Sequence, residues 1–469
     1  MVCQLDALRR CLSRNVDNVL NELPKSLDET YQRVLKEIDE VNQNDVHRLL
    51  QCLVVSVRPL RVDELAEVLV VDFDGAEGIP KLNPDWRWED QEEALQAACS
   101  SLIAIVDTGH SRVVQFSHFS VKEFLTSPRL ADARGDVSCY HISPEPAHMI
   151  LAQSCLGVLL RLDDRTKEES IEARFPLARY AAEHWVDHAQ FENVSSRLWK
   201  GMEHLFNPDK PHFSTWLRLH DIDMKSYRDS VLYEFTPHLS GRSNASPLYY
   251  AALCGFHDLA EHLVVKHRQD VKAHGGYYMA PLVAALGGKH FQVAELLYQH
   301  GATVVIRGFC EATPLHGVSY SGDLEIMQWL LSRGPDANVL KSGSGRTPLH
   351  CAAITGQLEA ARLLLQHNAD PNAQNEDGQT PLHFASRYCH PNVARLLLSL
   401  CVDVNVRDNS GSTPLHLASS DRRIAVARVL LEHGADIGAK DDKGRTPFQV
   451  AEEGKGDKIM ELLSEHITK

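Results

Sequence analysis

The chain has 469 residues, 43% of them hydrophobic and 24% charged, a length that implies about two to four domains and a composition that excludes a disordered or low-complexity protein. Residues 1–240 hold 26 Lys and Arg against 39 Asp and Glu, most of the net charge of -15, and neither half has the basic excess that nucleic-acid binding needs. Eleven cysteines without a C-x-x-C pair read as thiols of a reducing compartment, and no apolar run approaches the roughly 18 residues of a membrane span, so a cytoplasmic protein with no nucleic-acid or membrane partner is expected.

The stretch "LPKSLDETYQRVLKEIDE" places Ser26 three residues before Glu29, a capping box, and then Tyr31, Val34, Leu35 and Ile38 at helical spacing. It predicts an amphipathic helix. "NDVHRLLQCLVVSVRPLRVDELAEVLVV" predicts two helices parted by Arg58-Pro59, and "VVDFDG" at 70–75 reads as a solvated loop. "SLIAIVD" and "RVVQFS" flank a turn at 107–110 and predict a hairpin, with a helix resuming near Ser120. Helices followed by such a hairpin look like a winged helix. Further on, Glu183, His184 and His188 share a helix face. The metalloprotease pattern needs Glu directly after the first His, where Trp185 stands, so these residues read as a polar face.

Four stretches in order, "LPKSLDETYQRVLKEID", "RPLRVDELAEVL", "FSHFSVKEFLTSP" and "FPLARYAAEHWVDHA", resemble the region that follows the NACHT nucleotide-binding domain in fungal NLR-like STAND proteins, many of which end in ankyrin repeats. The resemblance covers roughly residues 1–200. It implies that 1–44 closes the NACHT-associated helices, that 45–135 is winged-helix-like and that 136–240 is a helical linker module. Family members bind nucleotide through G-x-x-x-x-G-K-[ST], which this chain lacks. "GGKHF" at 287–291 puts His290 where a Mg²⁺-binding hydroxyl must be and reads as a turn. The chain is therefore expected to begin after the ATPase core. With no G-x-S-x-G elbow and no cysteine marked as a nucleophile, we expect no enzyme, no catalytic residue, no cofactor and no metal.

From residue 241 onward one unit repeats. "SPLY", "APLV", four copies of "TPLH" and "TPFQ" place prolines at 247, 281, 314, 348, 381, 414 and 447, with gaps of 34, 33, 34, 33, 33 and 33. Threonine is a good N-cap and proline suits the first helical position, so each tetrapeptide opens a helix. Ala352-Ala353, matched by Ala251-Ala252, Ala284-Ala285, Ala385-Ser386 and Ala418-Ser419, keep one face small for a stacked neighbour. Gly255, Gly322 and Gly356 break the first helix. A second, apolar helix stops at Gly301, Gly334, Asn368 and Gly434, with His267 replacing the stop glycine in the first repeat and Cys401 departing from the pattern in the fifth. The T-P-L-H unit of 33 residues resembles the ankyrin repeat. His316, His350, His383 and His416 sit too far apart for a shared metal, since stacked helices lie roughly 8–10 Å apart and Zn–N bonds are about 2.0–2.1 Å. We read them as fold-holding, hydrogen-bonded near the threonine cap as the resemblance implies.

The fold class expected is mostly α: a winged-helix and helical-linker module followed by an α-solenoid of about seven ankyrin repeats over 241–469. The function expected is protein recognition on the concave face and hairpin tips. Family practice points to Arg346, Ile354, Thr355, Glu376, Asp377, Gln379, Arg387, Tyr388, Asn409, Ser412, Ser420 and Asp421, with Tyr388 and Arg387 as anchors. The resemblance implies the sensor part of an NLR-like switch; an adaptor that recruits a target to other machinery, or a subunit of an ATPase switch, stays open beside it.

Overall fold

A computed structural model describes residues 26–73, 79–109, 111–133, 136–163, 168–220, 222–223, 245–304 and 312–467. It divides into two compact units, up to Ile222 and from Asp223. Among the described residues there are 25 α-helices and five short strands.

In the first unit, α1 (Leu27–Lys36) is capped by Ser26, whose hydroxyl accepts the Glu29 N–H at 3.2 Å, and it buries Tyr31, Val34 and Leu35. The helix α2 (Gln43–Val55) ends before Arg58-Pro59, and β1 (Leu60–Arg61) leads into α3 (Val62–Glu67). After α4 (Gln91–Cys99) come β4 (Ile103–Asp107) and β5 (Arg112–Phe116), then α5 (Phe119–Leu125) and α6 (Pro128–Ala131). The expected hairpin is there, and β5 also pairs with β1 through Leu60 and Val114, which gives an antiparallel sheet of order β1-β5-β4. One reading needs correction. Within "VVDFDG", Val71–Asp72 form β2, paired with β3 (Lys81–Leu82), and Val70 and Val71 are buried rather than solvated; Asp74 and Gly75 lie outside the described residues.

Five helices follow: α7 (Pro144–Leu159), α8 (Glu168–Arg174), α9 (Ala178–Ala189), α10 (Val194–Leu205) and α11 (Pro211–Leu219). Helix α7 is apolar on nearly every side, from Ala147 and Met149 through Leu151, Cys155 and Leu159, and packs against α2, α9 and α10. A helix of that kind is stable only when surrounded. Two carboxylates of α3 are fully buried: Glu64 accepts both Arg58 Nη atoms at 2.8 and 2.7 Å, and Glu67 accepts Arg87 Nε at 2.9 Å.

The second unit is a succession of seven helix pairs: α12 (Pro247–Leu253) with α13 (His257–Val265), α14 (Pro281–Gly287) with α15 (Phe291–Gln299), α16 (Pro314–Ser321) with α17 (Leu324–Leu331), α18 (Pro348–Thr355) with α19 (Leu358–Gln366), α20 (Pro381–Arg387) with α21 (Pro391–Leu398), α22 (Pro414–Ser420) with α23 (Ile424–Glu432), and α24 (Pro447–Glu453) with α25 (Asp457–Ile467). All seven prolines occupy the first helical position. The turn inside each pair reaches positive φ at Gly255, Gly322 and Gly356 and, without glycine, at Lys289, Cys389, Arg422 and Lys455. The stretch "GGKHF" is this turn in the second repeat.

Two details of the repeat differ from expectation. The first repeat's second helix stops with positive φ at Arg268, one residue beyond His267, twenty-one residues after its proline where the second to sixth repeats stop at twenty. Counted from Pro281, the counterpart of Ala352-Ala353 is Ala285-Leu286, not Ala284-Ala285. Cys401 departs in identity only: its φ of +58° keeps the left-handed stop. An L-residue there carries steric strain that glycine lacks, and Cys401 is exposed, so Cys401→Gly is expected to stabilise the protein by about 1 kcal/mol, read as a higher urea midpoint at unchanged slope.

Candidate protein-binding surface

The TPLH histidines explain how successive pairs are joined. At Thr347 the backbone N–H donates to His350 Nδ1 at 3.0 Å and the hydroxyl lies 2.9 Å from the same nitrogen. That nitrogen is an acceptor, so the ring proton sits on Nε2, which donates to the Gln379 carbonyl of the next repeat at 2.9 Å. His316, His383 and His416 repeat the arrangement toward the carbonyls of Arg346, Ser412 and Arg445 at 3.0, 3.1 and 3.0 Å. Both nitrogens of each imidazole are thus spent on the fold.

Burial holds His350 below its ordinary value, at about 4, and lowers His383 and His416 as well. Between about pH 4 and the ordinary 6.5 the unfolded chain binds protons that the folded chain refuses, so this stability is whole above pH 6.5 and is lost on acidification toward 4. His350 alone accounts for about 3 kcal/mol of that loss. Urea midpoints measured down this range check it, and the loss is expected to shrink in His350→Gln, which cannot titrate.

The loops between pairs are closed by an acceptor recurring every 33 residues. Asn375 Oδ1 accepts the N–H groups of Asp377 and Gln379, Asp408 Oδ1 those of Ser410 and Ser412, and Asp441 Oδ1 those of Lys443 and Arg445. The tips then stack by backbone bonds: Glu376 N–H to the Ser344 carbonyl at 3.1 Å, Asn409 N–H to Asp377 at 2.9 Å and Asp442 N–H to Ser410 at 3.1 Å. Gly378 is needed for this approach, since it holds φ at +71° and a Cβ there would come within 2.4 Å of Asn409 Oδ1. Sequence reasoning missed this row of acceptors, although Asn375, Asp408 and Asp441 stand in register before Gly378, Gly411 and Gly444.

The twelve residues singled out from sequence fall into two groups. Some are engaged within the stack. Gln379 is buried with its amide on Asp408 at 3.1 Å, Thr355 donates to the Tyr320 carbonyl at 2.8 Å, and Arg346 is half-buried over the Phe384 ring. Ile354 and Ser412 are half-buried and contribute carbonyls to His390 and His383. The others lie at the surface. Glu376, Asp377 and Asn409 line the tips, with the Asn409 amide on the Glu376 carbonyl at 2.9 Å. Tyr388, Ser420 and Asp421 are exposed at the ends of the first helices, and half-buried Arg387 lies 3.9 Å from Asp421. Tyr388 exposes 43% of its surface, beside that charge pair.

In the first unit, Glu183 and His184 lie 3.8 Å apart, while His188 has other partners. Glu183 pairs with Arg179, His184 Nδ1 with Asp187, and buried His188 bridges His148 Nδ1 at 3.0 Å and the Tyr180 hydroxyl at 2.9 Å. Among the described residues no helix is long and apolar enough to cross a membrane.

Comparison with known proteins matches residues 315–408 and 397–451 to ankyrin-repeat families, the segments that hold the proline-led helix pairs and stacked tips. The second unit is a stack of ankyrin repeats. Ankyrin repeats are protein-interaction modules. Residues 35–134 match the family described as the winged helix domain of GPI inositol-deacylase, in agreement with the sheet of β1, β4 and β5. The chain is similar to "Azaphilone pigments biosynthesis cluster protein L" of Monascus ruber, 32% identical over 317 residues, which is 64% of this chain and 65% of that protein. It is also similar, 37% identical over 102 residues, to a Rickettsia felis protein named for ankyrin repeats, across 20% of this chain and 45% of the other. The chain spans less than two thirds of either relative.

Proposed function

We propose that this chain is a non-enzymatic, cytoplasmic recognition protein whose ankyrin stack binds a partner protein along the loop tips and the ends of the first helices, as the regulatory part of an NLR-like STAND signalling system. The observation that carries the reading is exposed Tyr388 beside the Arg387–Asp421 pair at the ends of the first helices. Aromatic and Arg side chains dominate interface energetics. The winged-helix match that precedes the repeats, in the order seen in the sequence, supports the signalling assignment. A partner captured by the full chain is expected to lose about tenfold or more in affinity with Tyr388→Ala or Arg387→Ala, and to keep it with Arg362→Ala on the second helix α19. Equal loss in all three would defeat the assignment to this surface. ATP is not expected to bind the purified chain.

A second reading, an adaptor with one partner for each unit, is favoured by the division of the chain at residue 222. It requires the full chain to hold two different proteins at once, whereas the regulatory reading requires contact between its own halves.

A further inference from the structure

The seven ankyrin repeats are not joined alike. Each junction from the third repeat onward as far as the sixth and seventh carries a histidine link to a carbonyl, and the first reaches the second through the Tyr249 hydroxyl, which accepts the Tyr278 N–H at 3.1 Å. At the same position in the second repeat stands Val283, which has no polar atom to offer. The small stacking residues are also lost on both sides of this junction: Leu286 and Val318 stand where the fourth to sixth repeats carry Ala or Ser. The first helices α12 and α14 pack closely, as do α16 and α18 and every later pair, but α14 and α16 do not.

Among the described residues, side-chain pairs span the junction. Lys289 Nζ lies 2.7 Å from Asp323, Arg333 pairs with Glu295, and the Arg333 guanidinium sits 4.0 Å from the Trp329 ring centre, with Tyr298 edge-on to Trp329. Phe291, Leu296 and Trp329 line a groove of about 500 Å³ beside these pairs. Stability in a stacked array is a sum over neighbour interfaces, so the stack uncouples first where one interface is weakest. Here buried hydrogen bonds and close helix packing are replaced by partly exposed ion pairs, which salt screens.

We propose that the junction between the second and third repeats is a salt-sensitive hinge at which the first two repeats open independently of the other five. The test is amide hydrogen exchange of the full chain, read by mass spectrometry at low ionic strength and in molar sodium chloride. Helices α12–α15 are expected to exchange about tenfold faster in molar salt, with α18–α23 changing less than about twofold. Glu295→Gln is expected to produce fast exchange in α12–α15 already at low salt and to remove at least about half of the salt response. One common opening of all seven repeats with one salt response overturns the proposal, as does a Glu295→Gln effect spread equally over the stack. Should that variant fail to fold, the salt series on the wild-type chain decides by the same two outcomes.

Discussion

Replacing His350 with leucine is expected to lower the stability of the ankyrin unit by about 3 kcal/mol, more than its modest change in apolar volume would imply. The substitution leaves the buried Thr347 N–H without its partner, which costs about 1–3 kcal/mol, and takes from the Gln379 carbonyl one of its two donors, the Asn375 N–H at 3.0 Å remaining. It also cuts the link between the fourth and fifth repeats, in the middle of the array. Urea unfolding followed by circular dichroism reads the effect as a lower midpoint. A loss below about 1 kcal/mol would show that water or a backbone shift satisfies the Thr347 N–H, and that the imidazole row is not what couples the repeats.

Arg58→Met is the counterpart in the first unit, with an expected loss of about 3–5 kcal/mol. Glu64 is fully buried; it accepts both Arg58 nitrogens and the Arg61 N–H at 2.8 Å, and the Arg58 guanidinium lies over the Tyr180 ring at 4.9 Å. Without Arg58 the carboxylate loses its main compensation in a dry site. Removing both charges is expected to cost much less, so the double variant Arg58→Met with Glu64→Leu should recover most of the stability. If the double variant is no better than the single one, the guanidinium acts through its packing on Tyr180 rather than by neutralising Glu64.

Local signals carried much of this structure into the sequence, and non-local ones did not. Ser26, Arg58-Pro59 and the seven repeat prolines act within a few residues of themselves, and each marks an element boundary as expected. The strand β1 escaped notice because Leu60 becomes a strand only by pairing with Val114, and β2 because Val71 pairs with Leu82. The burial of Glu64 and Glu67 left no mark in the sequence, since their partners Arg58 and Arg87 lie at no regular spacing from them. On the candidate surface, Tyr388 and Asp421, pointed to by the ankyrin resemblance through the repeat register, lie exposed. Gln379 does not, because its amide is taken by Asp408 one repeat away, a contact that counting along the chain does not show. The weak second junction was visible as "APLV" among copies of "TPLH", but its meaning depends on knowing where the absent imidazole would have reached.

Helix α7 bears on how such chains are assembled over evolution. Because it is enclosed on nearly every side and rests on α2, a gene fragment that ended at the winged-helix match would uncover the part of α2 that α7 covers. The smallest piece that can be transplanted intact therefore runs from α1, whose Tyr31 packs on Phe124, through α11. Shuffling in this lineage should preserve that whole block, even where resemblance between distant relatives marks out only its first part.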